Sequence, residues 1–95
     1  MQFEWDENKN AVNLKKHGIS FGRASTIFDG FVLSRIDNWF YPGEERDISI
    51  GMIEGGRVVV IVHVERNSKI RIISARKATK KERKLYYVYY HKKAK

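Results

Sequence analysis

The spacing of apolar and polar positions changes several times along this chain, and each change marks an element. Gln2 to Trp5 reads as a short strand. Asp6 then caps a helix running through His17, with Val12 and Leu14 among its apolar positions and Gly18 as its stop. Ser20 caps a second helix over Phe21 to Phe28, where Phe21, Ala24, Ile27 and Phe28 recur at helical spacing as a core stripe. Past Asp29-Gly30, Val32 to Ile36 predicts a strand and Asp37 to Glu45 a loop. Arg46 to Ile53 alternates apolar and polar residues, as a half-buried strand does. Gly55-Gly56 predicts a two-residue hairpin turn into the Val/Ile-rich strand Arg57 to Glu65, and Asn67-Ser68 turns the chain again into Lys69 to Ala75. Thr79 and Glu82 form a capping box that opens a C-terminal helix. The order β-α-α-β-β-β-β-α predicts an α+β fold. It would be one small domain over residues 1–95, an antiparallel sheet with two N-terminal helices and one C-terminal helix.

The turns also predict a register. With two-residue turns at both hairpins, Ile48 faces His63, Arg46 faces Glu65, Glu65 faces Ile70 and His63 faces Ile72. Alternation then puts Arg46, His63, Glu65, Ser74 and Arg76 on one face. The other takes Val58, Val60, Val62, Val64, Ile73 and Arg71. On the last helix, Leu85, Val88 and Tyr89 fit a face packed on the sheet, while Tyr87 and Tyr90 fall elsewhere.

Charge sharpens this picture. Nineteen Lys and Arg against eleven Asp and Glu give a net charge of +8, which favours a polyanionic partner. From Arg66 to the end of the chain Glu82 is the only acid among twelve Lys and Arg. Arg76, Lys77, Lys80, Lys81, Arg83 and Lys84 cluster where the last strand meets the last helix, and backbone N–H groups at a helix N-terminus add to the attraction for phosphate. The run Lys15-Lys16-His17 has a structural explanation, since it complements the negative end of its helix.

Several chemistries are excluded by composition. The absence of cysteine removes disulfides and thiolate zinc sites, and His17, His63 and His91 lack metal-ligand spacing. There is no Gly-rich phosphate loop, no GxSxG and no paired-Asp nuclease pattern, so neither cofactor nor metal is expected. No apolar run approaches the ~20 residues needed to span a bilayer and no signal-peptide pattern opens the chain, so a cytoplasmic location is expected. Trp39, Phe40 and Tyr41 flank the single proline, Pro42. They fit base stacking, a partner contact or a lid on the core equally well.

Three stretches together resemble the BrnT toxins, the ribonuclease halves of BrnT–BrnA toxin–antitoxin pairs. They are F-E-W-D-E-N-K-N-A-V-N-L-K-K-H-G-I-S-F from Phe3, E-E-R-D-I-S-I-G from Glu44, and I-R-I-I-S-A-R-K-A-T-K-K-E-R-K-L-Y from Ile70 to Tyr86. The resemblance implies a RelE-like fold and metal-independent RNA cleavage that inhibits translation. It also implies silencing by a BrnA-like ribbon-helix-helix antitoxin, through whose complex alone operator DNA would be bound. It favours Arg46, Arg66, Arg76 and Arg83 as functional arginines. The loop before E-E-R departs from the family pattern, being aromatic where an acidic or His/Ser-containing loop is expected.

Metal-free RNA cleavage needs a base for the 2′-hydroxyl, stabilisation of a phosphorane and an acid for the 5′-oxygen. A guanidinium suits the middle task because its planar fork reaches two phosphate oxygens and stays charged. Arg66 and Arg76 are therefore candidate phosphate binders, with Arg46 beside them. Glu65 is the candidate for proton transfer, ahead of His63, Glu45 and Tyr86. Lys77, Lys80, Arg83 and Tyr86 are candidate RNA-binding residues. Each has a structural reading too: Arg46 and Glu65 as a cross-strand ion pair, His63 as a hydrogen-bonded sheet histidine, Glu82 mainly as a cap. A non-catalytic basic RNA- or DNA-binding module explains the charge equally well.

Overall fold

The structure is a computed structural model that describes residues 1–37 and 46–93. The aromatic loop Trp39 to Tyr41 and the candidate base Glu45 lie outside the described residues.

A strand β1 (Gln2–Glu4) leads into helix α1 (Glu7–His17). Asp6 caps α1 as expected, its carboxylate accepting from the N–H groups of Asn8 and Lys9, and Gly18 ends it at a φ of 71°. The apolar reading of α1 is corrected. Val12 and Leu14 are 64% and 49% exposed, whereas Asn13 is buried. Its Nδ2 donates to the carbonyls of Ile19 (3.0 Å) and Ala75 (2.8 Å), and its Oδ1 accepts from the Ala75 N–H at 3.2 Å. An amide that satisfies three backbone groups thus docks this helix, and the Asn10 side chain adds a fourth contact by accepting from the Phe21 N–H.

The second helical stretch is shorter than predicted. Regular helix α2 covers Phe21–Ala24 and tightens into a 3-10 helix over Ser25–Asp29. The hydroxyls of Ser25 and Thr26 donate to the carbonyls of Gly22 and Arg23, three residues back, a local alternative to the α-helical pattern. This segment lays Ile27 directly on Gly51, where an added Cβ would stand 2.5 Å from the Ile27 Cβ. Glycine is required there by close approach.

Strands β2 (Leu33–Asp37), β3 (Arg46–Met52), β4 (Val58–Arg66) and β5 (Lys69–Lys77) form the antiparallel meander, in the sheet order β1-β5-β4-β3-β2. The departure is β1, which runs parallel to β5 at the edge, with Glu4 opposite Arg71 and an ion pair of 3.3 Å between them. One face packs Val59, Ile61, Ile72 and Ala75 against Ile19, Phe21, Ala24 and Ile27. The other packs Ile50, Val58 and Val60 against the C-terminal helix α3 (Lys80–Lys93). This is the expected α+β class.

The second hairpin keeps its predicted register: Asn67 and Ser68 are both left-handed, and Glu65 faces Ile70 and His63 faces Ile72. A bulge between Val62 and His63 then moves the pairing, so Val62 faces Ser74. The first hairpin differs from its prediction. Its loop is the three-residue turn Glu54–Gly56, with Gly55 and Gly56 both at positive φ, and Asp47 rather than Ile48 faces His63. That one-residue slip reverses the side-chain sorting of β3 relative to β4. Arg46 now shares the α3 face with Ile48 and Ile50, while His63 lies on the α1 face. The expected single face of Arg46, His63, Glu65, Ser74 and Arg76 does not exist.

Helix α3 opens with the predicted capping box: the Thr79 N–H donates to Glu82 Oε1 (2.8 Å), and the Glu82 N–H to Thr79 Oγ1 (3.1 Å). Its buried face is not the predicted one. Leu85, Val88 and Tyr89 are half exposed, whereas Tyr86 is 1% exposed. The Tyr86 ring packs with Phe31, Tyr87 and Tyr90, and its hydroxyl donates to the Phe31 carbonyl at 2.9 Å. Burying a side chain of this size contributes about 1.5–3 kcal/mol, more than an equivalent exposed face can offer.

Gly51→Ala is expected to lower stability by about 1–3 kcal/mol, because no change of rotamer moves the Ile27 Cβ and the 3-10 segment must lift from the sheet. Urea denaturation of the two proteins checks this; an unchanged midpoint would show that the contact gives way freely.

Candidate polyanion site

The strand–helix joint is built by two neighbouring anchors. Ala75 is gripped by Asn13, and the next residue, Arg76, faces the opposite side of the sheet, level with Val60. Its guanidinium donates to both carboxylate oxygens of Glu82, at 2.7 and 2.9 Å. Glu82 therefore does two jobs, capping α3 and holding the arginine fork flat against the first helical turn. The carboxylate is pulled down to about 2, mainly by the hydrogen bonds from Arg76, and the same contact raises the Arg76 pKa further. Both groups stay charged across the whole physiological range.

The other predicted cations surround this joint. Lys77 ends β5, and Lys80 begins α3. Arg83 donates to the Ala78 carbonyl at 3.1 Å, so its head is drawn back to the helix entrance. Glu82 also borders a groove of about 360 Å³ between α3 and the outer strands, lined further by Leu33, Arg35, Ile48, Leu85 and Tyr89. Arg46, two residues before Ile48 on β3, is on this same face of the sheet. The structure thus brings Arg76, Glu82 and Arg35 to one face with Arg46. Arg35 was missed in the sequence, where it sits inside a short apolar strand with nothing to mark it.

Other predicted residues are placed elsewhere. Arg66 pairs with Lys69 at the far end of the β4–β5 hairpin, and Glu65 is exposed beside it. Arg76 lies seven residues further along β5 than Lys69, roughly 23 Å at the strand rise. Arg66 and Arg76 therefore cannot meet on one phosphate, and Glu65 cannot reach the groove at the joint. Tyr86 is enclosed in the core with its hydroxyl occupied, which removes it as a base-stacking platform. For Arg66 and Glu65 the reason is the length of the hairpin, and for Tyr86 it is burial.

His63 is on the α1 face, where its Nε2 lies 2.7 Å from Ser49 Oγ, and Ser49 in turn 2.7 Å from Ser34 Oγ. Phe28 meets the ring edge-on, and Asp47 stands 4.0 Å from Nδ1. Burial lowers the His63 pKa, with Asp47 opposing. This is the hydrogen-bonded sheet histidine rather than a member of the groove. Among the described residues no three His, Asp or Glu side chains cluster as a metal-binding set requires.

The two roles of Glu82 separate by substitution. Its folded value lies below the ordinary 4.5, so the stability from its charge is complete above that value and is lost as pH falls through about 2. Glu82→Gln is expected to keep most of the cap and flatten this acid dependence, whereas Glu82→Ala also loses the cap, about 1 kcal/mol. Thermal melts from neutral to strongly acidic pH check it; an unaltered acid dependence in Glu82→Gln would contradict the assignment.

Comparison with known proteins places this geometry. The crystal structure, at 1.1 Å, of the Brucella abortus ribonuclease toxin BrnT superposes with a TM-score of 0.63 and 23% identity, over 84% of this chain and 99% of that one, which shows a shared fold. No curated protein matches the chain. The family described as the ribonuclease toxin BrnT of type II toxin–antitoxin systems matches residues 5–82, from Trp5 through the Glu82 that holds Arg76. A match over most of the length means that the chain belongs to the BrnT family of ribonuclease toxins.

Proposed function

We propose that this chain is an endoribonuclease that cleaves RNA without a metal ion by 2′-hydroxyl attack. The toxin would thereby inhibit translation and would be neutralised by a BrnA-like ribbon-helix-helix antitoxin, operator DNA being bound only through that complex. The observation that carries the reading is the Arg76 fork, fixed by Glu82 at the entrance of a helix crowded with cations.

The reaction defines what the site must do. The 2′-oxygen bonds to phosphorus and its proton passes to a base; the bond from phosphorus to the 5′-oxygen breaks, and that oxygen takes up a proton. The products are a 2′,3′-cyclic phosphate and a 5′-hydroxyl. Between them stands a phosphorane carrying an extra negative charge. In this reading Arg76 stabilises that charge, and Arg46, on the same face but roughly 13 Å further along the strands, contacts the RNA beyond it. Lys77, Lys80 and Arg83 hold the RNA backbone. Glu82 positions Arg76; at about 2 its carboxylate is too weakly basic to take the 2′ proton. Arg66 and Glu65, at the far end of the β4–β5 hairpin, have no part in this step.

A second reading, a non-catalytic basic RNA- or DNA-binding module, is favoured by one observation. The register brings neither His63 nor Glu65, the proton-transfer candidates of the central strand, beside Arg76, so the cations of the joint stand without either of them.

Purified protein incubated with RNA in EDTA separates the two. Cleavage leaving cyclic phosphate ends is expected, reduced about 100- to 1000-fold in Arg76→Ala with the fold checked by circular dichroism. Binding without cleavage would support the module instead, and equal cleavage by both proteins would remove Arg76 from the site.

A further inference from the structure

The ion pair at the joint divides two grooves. Glu82 borders the groove beneath α3, but Arg76 borders another, on the side of α1. This second groove, about 430 Å³ and open to solvent, is lined by Lys16, His17, Arg76, Lys77 and Thr79. Among the described residues no carboxylate lines it. Lys16 and His17 also border an adjoining groove of about 350 Å³ that runs back between α1 and β5, and the further cation there is Lys9, one line up the helix from Lys16.

We propose that the sugar–phosphate backbone of the RNA continues past Arg76 over the end of α1, where Lys16 and His17 bind it together with Lys77. The inference rests on the ribonuclease reading above and extends it to residues that helix capping alone would explain. The energetics favour an anion despite the helix end. The C-terminus of α1 carries about half a negative charge, and the N-terminus of α3 about half a positive one, so the two helix ends offset each other. What remains is the full charge of Lys16 and Lys77, beside an Arg76 that is already paired with Glu82 at 2.7 Å.

RNA fits this groove better than a protein segment does. Its lining is cationic and polar, with no large apolar side chain to receive an aliphatic anchor. The exposed apolar positions Leu85, Val88 and Tyr89 lie on α3 instead. The docking of Asn13 on Ala75 fixes the groove, since it holds the last turn of α1 against the residue preceding Arg76.

Lys15 provides the control. It shares the last turn, the helix dipole and the charge of Lys16, but does not line the groove. Binding of a short 2′-O-methyl oligoribonucleotide, which cannot be cleaved, is measured over a range of salt concentrations for wild type, Lys15→Ala, Lys16→Ala and Lys16→Arg. One lost phosphate contact on a single strand lowers the slope of log affinity against log salt by about 0.7. Lys16→Ala is expected to show that loss and several-fold weaker binding; Lys15→Ala and Lys16→Arg are expected to keep the wild-type slope. Equal slopes for Lys15→Ala and Lys16→Ala, with wild type binding normally, would overturn the inference and leave the ribonuclease reading standing. If Lys16→Ala weakened only antitoxin binding, the groove would belong to the partner protein and the inference would fail. Wild type that neither binds the oligonucleotide nor cleaves RNA would bring down both.

Discussion

Asn13 matches both backbone groups of Ala75, and much of the architecture follows from that one contact. A buried amide is unfavourable unless its donors and acceptor are paired, and here every bond goes to a backbone group that also needs a partner. Removing the side chain would strand the Ala75 N–H and carbonyl together, at about 1–3 kcal/mol for each unsatisfied group. The contact therefore acts as a locator. It sets the height of α1 along β5 and so decides which residues of the helix end stand beside the strand–helix joint. The apolar positions of α1 have little part in this, which is why Val12 and Leu14 face solvent.

The residue after Ala75 works on the other side of the sheet. Arg76 and Glu82 are partly exposed, at 42% and 26%, so the pair adds little to stability through charge alone. Its larger consequence is geometric. The same carboxylate caps α3 and fixes the guanidinium, so forming the helix and orienting the arginine become one event. Strand, helix entrance and cation cluster are coupled without a metal-binding cluster among the described residues.

Much of this was legible in the sequence because it depends on local chemistry. Asp6, Gly18 and Ser20 marked helix ends, Asn67-Ser68 marked a tight turn, and the Thr79–Glu82 spacing marked the cap that the structure contains. The losses came where one residue of register decides a face. Two adjacent glycines suit a two-residue turn and a three-residue turn equally well, and the structure takes the longer. The bulge at Val62 and His63 leaves no mark that alternation could reveal. The aromatic run of α3 offered several apolar faces, and the sheet residues Ile50, Val58 and Val60 together with Phe31 select Tyr86 for the core. The cations of the candidate site were recognised by type, but Glu65 and Arg66 stand at the turn end of the β4–β5 hairpin, as its predicted register already required, and so far from Arg76.

In the proposed function RNA is held at the β5–α3 joint and not at the Arg66 hairpin. Backbone amide spectra recorded while a non-cleavable oligoribonucleotide is titrated into isotope-labelled protein test it most directly. The largest shifts are expected from Arg76 to Arg83, with little change from Glu65 to Lys69. The reverse pattern, with shifts concentrated at the hairpin end, would contradict it.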